Sequence, residues 1–317
     1  MRSGRTAVLG GSGFIGRYVI KRLAARGDVI AVGCRNAEQA KFLKPLGDVG
    51  QIVPLNIAIG NEELLAAFLA GNDTLVNCVG TLQEKGSQTF DLLHHSGPAR
   101  LARFAREAGV ERFVHFSAIG ADSRSSSAYA RTKAAGEQAV RDAFPTVTIL
   151  RPSVVFGPED QFFNRFAAVA MFSPVLPLIG GGETRFQPVY VGDVADAVVN
   201  CLEDPATVGR LYELGGPKIY TFRALMEVML REMGRARRFI DLPFGIASVQ
   251  ARVLSLLPKP PVTPDQVEML KRDNVVATGA LDLRTLGIEP TPVEAIIPTY
   301  LDRFRRGGWY GRRRVVA

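Results

Sequence analysis

The sequence predicts an α/β fold: a Rossmann-type, doubly wound parallel sheet with helices on both faces, followed by a smaller C-terminal lobe. Three observations predict it. A strand-like run from Arg5 to Leu9 feeds a glycine turn and then a helical pattern from Phe14. Short apolar runs alternate with helical stretches as far as Leu150. After Arg151-Pro152 the rhythm breaks at Gly157-Pro158, Ser173-Pro174, Gly180-Gly181-Gly182 and Gly215-Gly216-Pro217.

In order, the strand-like runs are Thr6–Leu9, Val29–Gly33, Gln51–Leu55, Thr74–Cys78, Phe113–Phe116 and Val147–Leu150. They are near-continuous apolar runs rather than alternating ones, as a sheet covered on both faces requires. Helical patterns lie between them at Ile15–Ala25, Ala37–Leu46, Glu62–Leu69, Phe90–Ala108 and Tyr129–Phe144. Beyond Pro152 they persist at Asp193–Leu202, Phe222–Met233 and Phe244–Leu257, and Thr263-Pro264-Asp265-Gln266 reads as a capping box. The expected organisation is a nucleotide-binding domain over residues 1–155, a smaller lobe over 156–302 with segments that can return to the first domain, and a basic tail over 303–317.

The glycine turn Gly10-Gly11-Ser12-Gly13-Phe14-Ile15-Gly16 carries the strongest functional signal. Backbone N–H groups at a helix N-terminus, together with its dipole, favour a pyrophosphate. Gly10 permits the tight turn, Gly13 allows close approach of the phosphates, and Gly16 lets helix and strand pack closely. Without a ligand, the same run is a glycine-rich β–α turn.

The bulk numbers bound the rest. The chain has 317 residues, 47% hydrophobic and 22% charged, as in an ordinary globular enzyme. No apolar run approaches a membrane span, and Met1 runs directly into the first strand, so no signal or transit peptide is expected. Cys34, Cys78 and Cys201 are scattered, and His94, His95 and His115 lack partners at metal-ligand spacing. A cytoplasmic protein without a metal is expected. The net charge is +8, but Arg303 to Ala317 holds six arginines and no acid; without that stretch the balance falls by six to +2.

The cofactor can be narrowed. An acid after the second strand would bond the ribose 2′-hydroxyl of NAD(H), whereas a cation accommodates the 2′-phosphate of NADP(H). Gly33-Cys34-Arg35 contains no acid, and the Arg35 guanidinium is a planar fork suited to phosphate. Arg17 can add to it. NADP(H) is favoured over NAD(H); the alternative is that both arginines are only solvated. Gly80, after the fourth strand, leaves room for a cofactor against the backbone.

Ser117 ends the fifth strand, and Tyr129 and Lys133 follow one helical turn apart. A phenol is a poor acid at neutral pH, with an unperturbed pKa near ~10. An adjacent ammonium stabilises its phenolate, and a serine hydroxyl can orient a carbonyl oxygen. Tyr129 is the candidate general acid/base, Lys133 its tuner and ribose anchor, and Ser117 the polarising group.

These motifs resemble the short-chain dehydrogenase/reductase superfamily over residues 5 to about 215. Ile149-Leu150-Arg151-Pro152-Ser153-Val154-Val155-Phe156-Gly157-Pro158 and Gln187-Pro188-Val189-Tyr190-Val191-Gly192-Asp193-Val194-Ala195 resemble its extended and atypical branches. Arg17-Tyr18-Val19, Leu46-Gly47-Asp48-Val49-Gly50-Gln51, Ser125-Ser126-Ser127-Ala128-Tyr129 and Val140-Arg141-Asp142-Ala143-Phe144-Pro145 are similar to one atypical group. That group is typified by the NADPH-holding alpha-subcomplex subunit 9 of respiratory complex I. With no import sequence expected the reading is a bacterial homologue, and the resemblance implies that the nucleotide is structural. It implies cofactor contacts from Gly10, Gly13, Phe14, Ile15, Gly16, Arg35, Gly80, Tyr129 and Lys133, with Pro152 joining the set. The group often places an acid after the third strand for the adenine amine. Here Leu55-Asn56-Ile57-Ala58 supplies none, so adenine falls to Asn56 or the backbone.

The tail carries the only tryptophan, Trp309, beside Tyr310. Aromatics flanked by arginines suit an anionic membrane surface or an acidic partner, and a solvated tail is the alternative. One short cluster without a recognised binding fold does not point to nucleic acid. Phe244 to Leu257 is apolar at Phe244, Ile246, Val249, Val253, Leu254 and Leu257, and reads as core-facing in preference to membrane-facing.

Two functions follow. One is an NADP(H)-binding accessory protein of the quinone-linked respiratory machinery, partnered by complex I subunits and peripheral on the cytoplasmic face of the inner membrane. The other is an NADP-dependent reductase, dehydrogenase or epimerase acting on a carbonyl, sugar-nucleotide or quinone-related substrate. An atypical member assisting ubiquinone biosynthesis would share features of both.

Overall fold

The computed structural model describes residues 4–255, 257 and 260–305. In chain order the elements begin β1 (Arg5–Leu9), α1 (Phe14–Arg26), β2 (Val29–Cys34), β3 (Ile52–Asn56), α2 (Glu62–Leu69), β4 (Thr74–Asn77), α3 (Gly97–Glu107), β5 (Arg112–Phe116), α4 (Ala128–Ala143) and β6 (Thr148–Pro152). There follow β7 (Val155–Phe156), α5 (Phe163–Phe172), β8 (Val175–Ile179), β9 (Arg185–Phe186), β10 (Val189–Tyr190), α6 (Val191–Glu203) and β11 (Leu211–Leu214). The described chain closes with β12 (Tyr220–Thr221), α7 (Phe222–Glu232), β13 (Arg238–Leu242), α8 (Phe244–Leu254), α9 (Pro264–Met269) and α10 (Val293–Leu301).

The chain divides into two compact units. The first comprises residues 4–152, 192–214 and 279–288. Its seven-stranded sheet has the order β11-β6-β5-β4-β1-β2-β3, with every pairing parallel. The Rossmann-type sheet expected from the alternating pattern is therefore present. β1 lies between β2 and β4, which makes its C-terminal end the switch point where open α/β sheets bind ligands. Central strands are buried along their length, as in β5, where Phe113, Val114, His115 and Phe116 are all buried. The edge strand β3 is half open, with Val53 and Leu55 exposed.

Two elements depart from the helical readings. The Ala37–Leu46 stretch is a 3₁₀ helix over Gln39–Leu46 with Pro45 inside it. Proline removes a backbone donor and disfavours an α conformation in the residue before it. The Phe90–Ala108 stretch is a π-helical turn, Asp91–Ser96, running into α3 at Gly97-Pro98. A Cβ at Gly97 would stand 2.3 Å from the Leu92 carbonyl oxygen, so only glycine allows that junction.

The second unit comprises residues 153–191, 215–278 and 289–305, apart from the three undescribed positions within it. It holds three two-stranded pairs: β7 with β10, β8 with β13, and β9 with β12. Its core gathers Phe156, Phe163, Leu176, Leu178, Phe222, Met226, Met229 and Ile297. The capping box at Thr263 forms as expected: Thr263 Oγ1 accepts from Gln266 N, and Gln266 Oε1 accepts from Thr263 N. The core-facing expectation for residues 244–257 is corrected. In α8 the small residues Ala247 and Ala251 are buried, while Ile246, Val249 and Val253 are 53%, 61% and 63% exposed.

Of the basic tail, Arg303 and Arg305 are described; Arg306 to Ala317, with Trp309, lie outside the described residues. Among the described residues no helix is long and apolar enough to cross a membrane, and no group of side chains has metal-binding composition.

Candidate functional site

The candidate site lies within the first unit, along the C-terminal ends of β1, β2, β4, β5 and β6. At its centre Gly10 adopts φ +80°, and its N–H donates to Gly33 O at 2.8 Å. Gly13 N–H donates to Gly10 O at 3.0 Å, closing the turn. Gly13 is the N-cap of α1, and no side chain caps that helix, so Phe14 and Ile15 open it without a polar cap. A Cβ at Gly10 would meet the Cys78 and Val79 backbone at 3.0 Å. One at Gly16 would stand 2.6 Å from Gly10 O and Gly11 Cα. Gly11, unassigned in the sequence, is equally constrained: its Cβ would be 2.7 Å from Ile20 Cδ1 and Val32 Cγ1.

Arg35 lies just beyond β2, exposed, and takes part in no ion pair among the described residues. The Arg17 guanidinium stacks over Phe42 at 5.0 Å, and its Nε donates to Gly13 O at 3.4 Å. Asn56 ends β3, where its Oδ1 accepts from Ala37 N at 2.7 Å. That bond ties the turn after β2 to β3 and leaves the amide nitrogen as the donor for a second partner.

On the other side, Ser117 follows β5 and its N–H donates to Leu150 O at 2.8 Å. Its Oγ is buried with no hydrogen-bond partner. Tyr129 stands in the first turn of α4, which Ser127 caps by accepting from Ala130 N. One turn on, the buried Lys133 donates from Nζ to Phe116 O at 3.1 Å. A Cβ at Gly80 would lie 3.5 Å from that Nζ and 4.0 Å from His94 Nε2. Gly80, Lys133 and the end of β5 are thus brought together. Burial pulls the Lys133 ammonium down to about 8, partly offset by the nearby Glu137 carboxylate. At neutral pH it remains largely protonated. Pro152 ends β6 with its carbonyl accepting from Ile119 N at 3.1 Å.

His94, set aside in the sequence for want of metal-binding partners, belongs to this cluster. It lies in the π-turn, and its Nε2 accepts from Thr81 N at 3.2 Å. Nδ1 is 3.2 Å from Thr132 Oγ1, which itself donates to Ala128 O. This network places the imidazole proton on Nδ1. The ring meets Tyr129 edge-on at 5.1 Å and stacks on Phe90 at 5.3 Å. Burial, and then the Lys133 charge, hold its pKa down to about 3, so it is neutral. The one sequence signal was Gly136 inside a helix. A Cβ there would stand 1.7 Å from His94 O, so glycine lets the π-turn touch α4.

His115, on β5, is a packed histidine. Asn77 Oδ1 accepts from Val79 N, so Asn77 Nδ2 faces His115 Nδ1 at 3.1 Å. Its Nε2 is buried without a partner, and burial holds the ring neutral, down to about 3.

The glycine turn at the switch point of an all-parallel sheet defines a protein of the Rossmann-type α/β class. The chain belongs to the NAD dependent epimerase/dehydratase family, whose pattern it matches over residues 6–215. It is 36% identical over 313 residues to the mitochondrial NADH dehydrogenase [ubiquinone] 1 alpha subcomplex subunit 9 of Arabidopsis thaliana, covering 95% of this chain and 78% of that one. The Mus musculus protein of the same name is 34% identical, over 95% of this chain and 81% of its own length. In fold the chain resembles the dTDP-glucose 4,6-dehydratase DesIV of Streptomyces venezuelae, solved with NAD bound. That likeness has a TM-score of 0.72 at 22% identity, over 95% and 96% of the two chains.

Proposed function

We propose that this chain holds NADP(H) in its first unit and serves as an accessory subunit of NADH:ubiquinone oxidoreductase, respiratory complex I, peripheral to the cytoplasmic face of the inner membrane. The observation that carries the nucleotide is the glycine turn at the switch point: an uncapped helix start whose glycines admit no Cβ. The likeness to one NADH dehydrogenase [ubiquinone] subunit in two organisms, along 95% of the chain, supports the assembly role.

The residues present fit a dinucleotide. Gly10, Gly13 and the N–H groups of Phe14 and Ile15 would receive the pyrophosphate, with Gly16 keeping α1 close to β1. Arg35, with Arg17 beside it, would take the 2′-phosphate, which makes NADP(H) the preferred form over NAD(H). The Asn56 amide nitrogen or the backbone would meet adenine. Gly80, Pro152, Tyr129 and Lys133 would line the nicotinamide ribose end. The basic tail beyond Arg303 would add contact with an acidic subunit or an anionic lipid surface.

A second reading is favoured by the orphaned Ser117 Oγ, a buried hydroxyl with nothing to bond, one residue past the Phe116 carbonyl that Lys133 bonds. In an NADP-dependent reductase of this class the bound nucleotide supplies a hydride. Ser117 would donate to the substrate carbonyl oxygen and Tyr129 would give that oxygen its proton. The Lys133 ammonium would stabilise the resulting phenolate, and His94 would hold the tyrosine ring in place. In an accessory subunit the same groups bind without turnover.

Gentle purification from native membranes tests the proposal: co-migration with complex I subunits is the expected result. A protein that migrates alone and oxidises NADPH with a quinone or ketone, losing that activity in Tyr129→Phe, would overturn it.

A further inference from the structure

Helix α8 turns three β-branched side chains outward, while Phe244 at its start packs inward. Ala247 and Ala251, one turn apart, pack inward with Val267 of α9, alongside Ile179, Leu242, Phe244 and Val262. Ile246, Val249 and Val253, spaced i, i+3, i+7, stand open to solvent, and Leu257 just beyond the helix is 50% exposed. In the same unit α5 does likewise. Val169 is exposed and Phe172 is 86% exposed, on the helical face that also carries Arg165. The Arg165 guanidinium donates to the carbonyl oxygens of Pro260 and Pro261, which places this face of α5 beside the segment leaving α8.

Charge separates this surface from the rest of the chain. Acids make up 31 of the 317 residues, yet none occurs from Gln161 to Gly182 or from Leu242 to Pro264. The bases in those two stretches are Arg165, Arg252 and Lys259. A buried helix would show its large side chains inward, and an ordinary surface helix would show polar ones outward. An exposed aliphatic stripe bordered by bases and free of acid is the pattern of a helix lying in a membrane interface.

We propose that α8, with the adjoining face of α5, docks this protein onto an anionic bilayer surface by inserting Ile246, Val249, Val253, Leu257 and Phe172 among the acyl chains. Arg165 and Arg252 then meet the lipid phosphates. The proposal rests on the peripheral-membrane setting of the accessory reading. Its test uses no respiratory complex, so either can fail without the other.

The full chain is sedimented with vesicles of phosphatidylcholine alone or containing phosphatidylglycerol. Wild-type protein should bind the anionic vesicles and bind the neutral ones at least tenfold more weakly. The combined variant Ile246→Ser, Val249→Ser, Val253→Ser should lose at least tenfold of the anionic binding with an unchanged melting temperature, since all three side chains are exposed. A chain ending at Arg305 should retain measurable binding. In a Trp309→Phe background, Val249→Trp should shift its fluorescence to the blue on adding anionic vesicles. Equal binding by wild type and the serine variant, or no shift at position 249, would overturn the proposal. So would a concentration-dependent dimer, without lipid binding, that the serine variant abolishes, because the occupant would then be a second copy.

Discussion

Glu137 and Arg151 face each other as a bidentate pair, Nε to Oε1 and Nη2 to Oε2 both at 2.7 Å, joining α4 to β6. Glu137 is buried, with Arg141 at 3.6 Å, while Arg151 also reaches Glu213 at 3.4 Å. Arg151→Met should destabilise the chain by about 1.5–3 kcal/mol, because it takes the bidentate partner from a buried carboxylate and leaves Arg141 as its remaining cation. Adding Glu137→Gln should recover a large part of that loss. Chemical denaturation of the single and double variants checks both; additive losses would mean that the two side chains act separately.

Lys133 supplies a pH dependence whose sign is set by its surroundings. Burial lowers it from 10.5 to about 8, so between those values the unfolded chain holds the proton and the folded chain does not. Stability from this group therefore rises as pH climbs from 8 to 10.5, and below pH 8 the folded chain carries a penalty on the order of 3 kcal/mol. In Lys133→Met that rise should disappear. Unfolding free energies of the two proteins between pH 7 and 10.5 should diverge in favour of wild type; parallel curves would contradict the assignment.

Gly16→Ala sets two effects against each other. Alanine is favoured over glycine inside a helix by about 1 kcal/mol. The new Cβ would stand 2.6 Å from the Gly10 carbonyl oxygen, where backbone rather than a flexible side chain must move. The clash should win, with a net loss of about 1–3 kcal/mol and weakened nucleotide binding. Thermal melting with and without NADPH reads both.

Arg35 is expected to decide which nucleotide is held. Arg35→Asp should weaken NADPH binding at least tenfold and leave NADH binding unchanged or improved, since a carboxylate repels a 2′-phosphate and accepts from a 2′-hydroxyl. Fluorescence titration of both nucleotides distinguishes this from a solvated arginine, for which the two affinities would not change.

Much of the first unit was legible because its rules are short-range. β1, β2 and β4 fall within a residue or two of the expected runs, since each is an unbroken apolar stretch closed by glycine or a polar residue. What was not legible depends on distant partners. Leu211–Leu214 is only four residues long, and nothing in it announces that it extends the sheet beside β6. Residues 279–288 show no strand pattern, yet Leu283 and Leu286 are buried and Leu281 bonds the edge strand through Glu213 N. The π-turn escaped notice because its cause, Gly97 against the Leu92 carbonyl, is a backbone contact rather than a periodicity. With it went His94, whose isolation along the chain conceals its place against Tyr129.

The sequence by itself determined the strand–glycine–helix turn at Gly10 to Gly16, the spacing of Tyr129 and Lys133, and the absence of an acid beside Arg35. These are local, because dihedral freedom, helical periodicity and residue charge act over a few positions. Only the tertiary structure decided that Ser117 Oγ is buried without a partner, that Lys133 lies under Gly80 with its charge disfavoured, and that Ile246, Val249 and Val253 of α8 face outward. Burial is a property of what packs around a side chain. An apolar stripe with the same period seals a core or is left open, according to surfaces contributed from elsewhere in the chain.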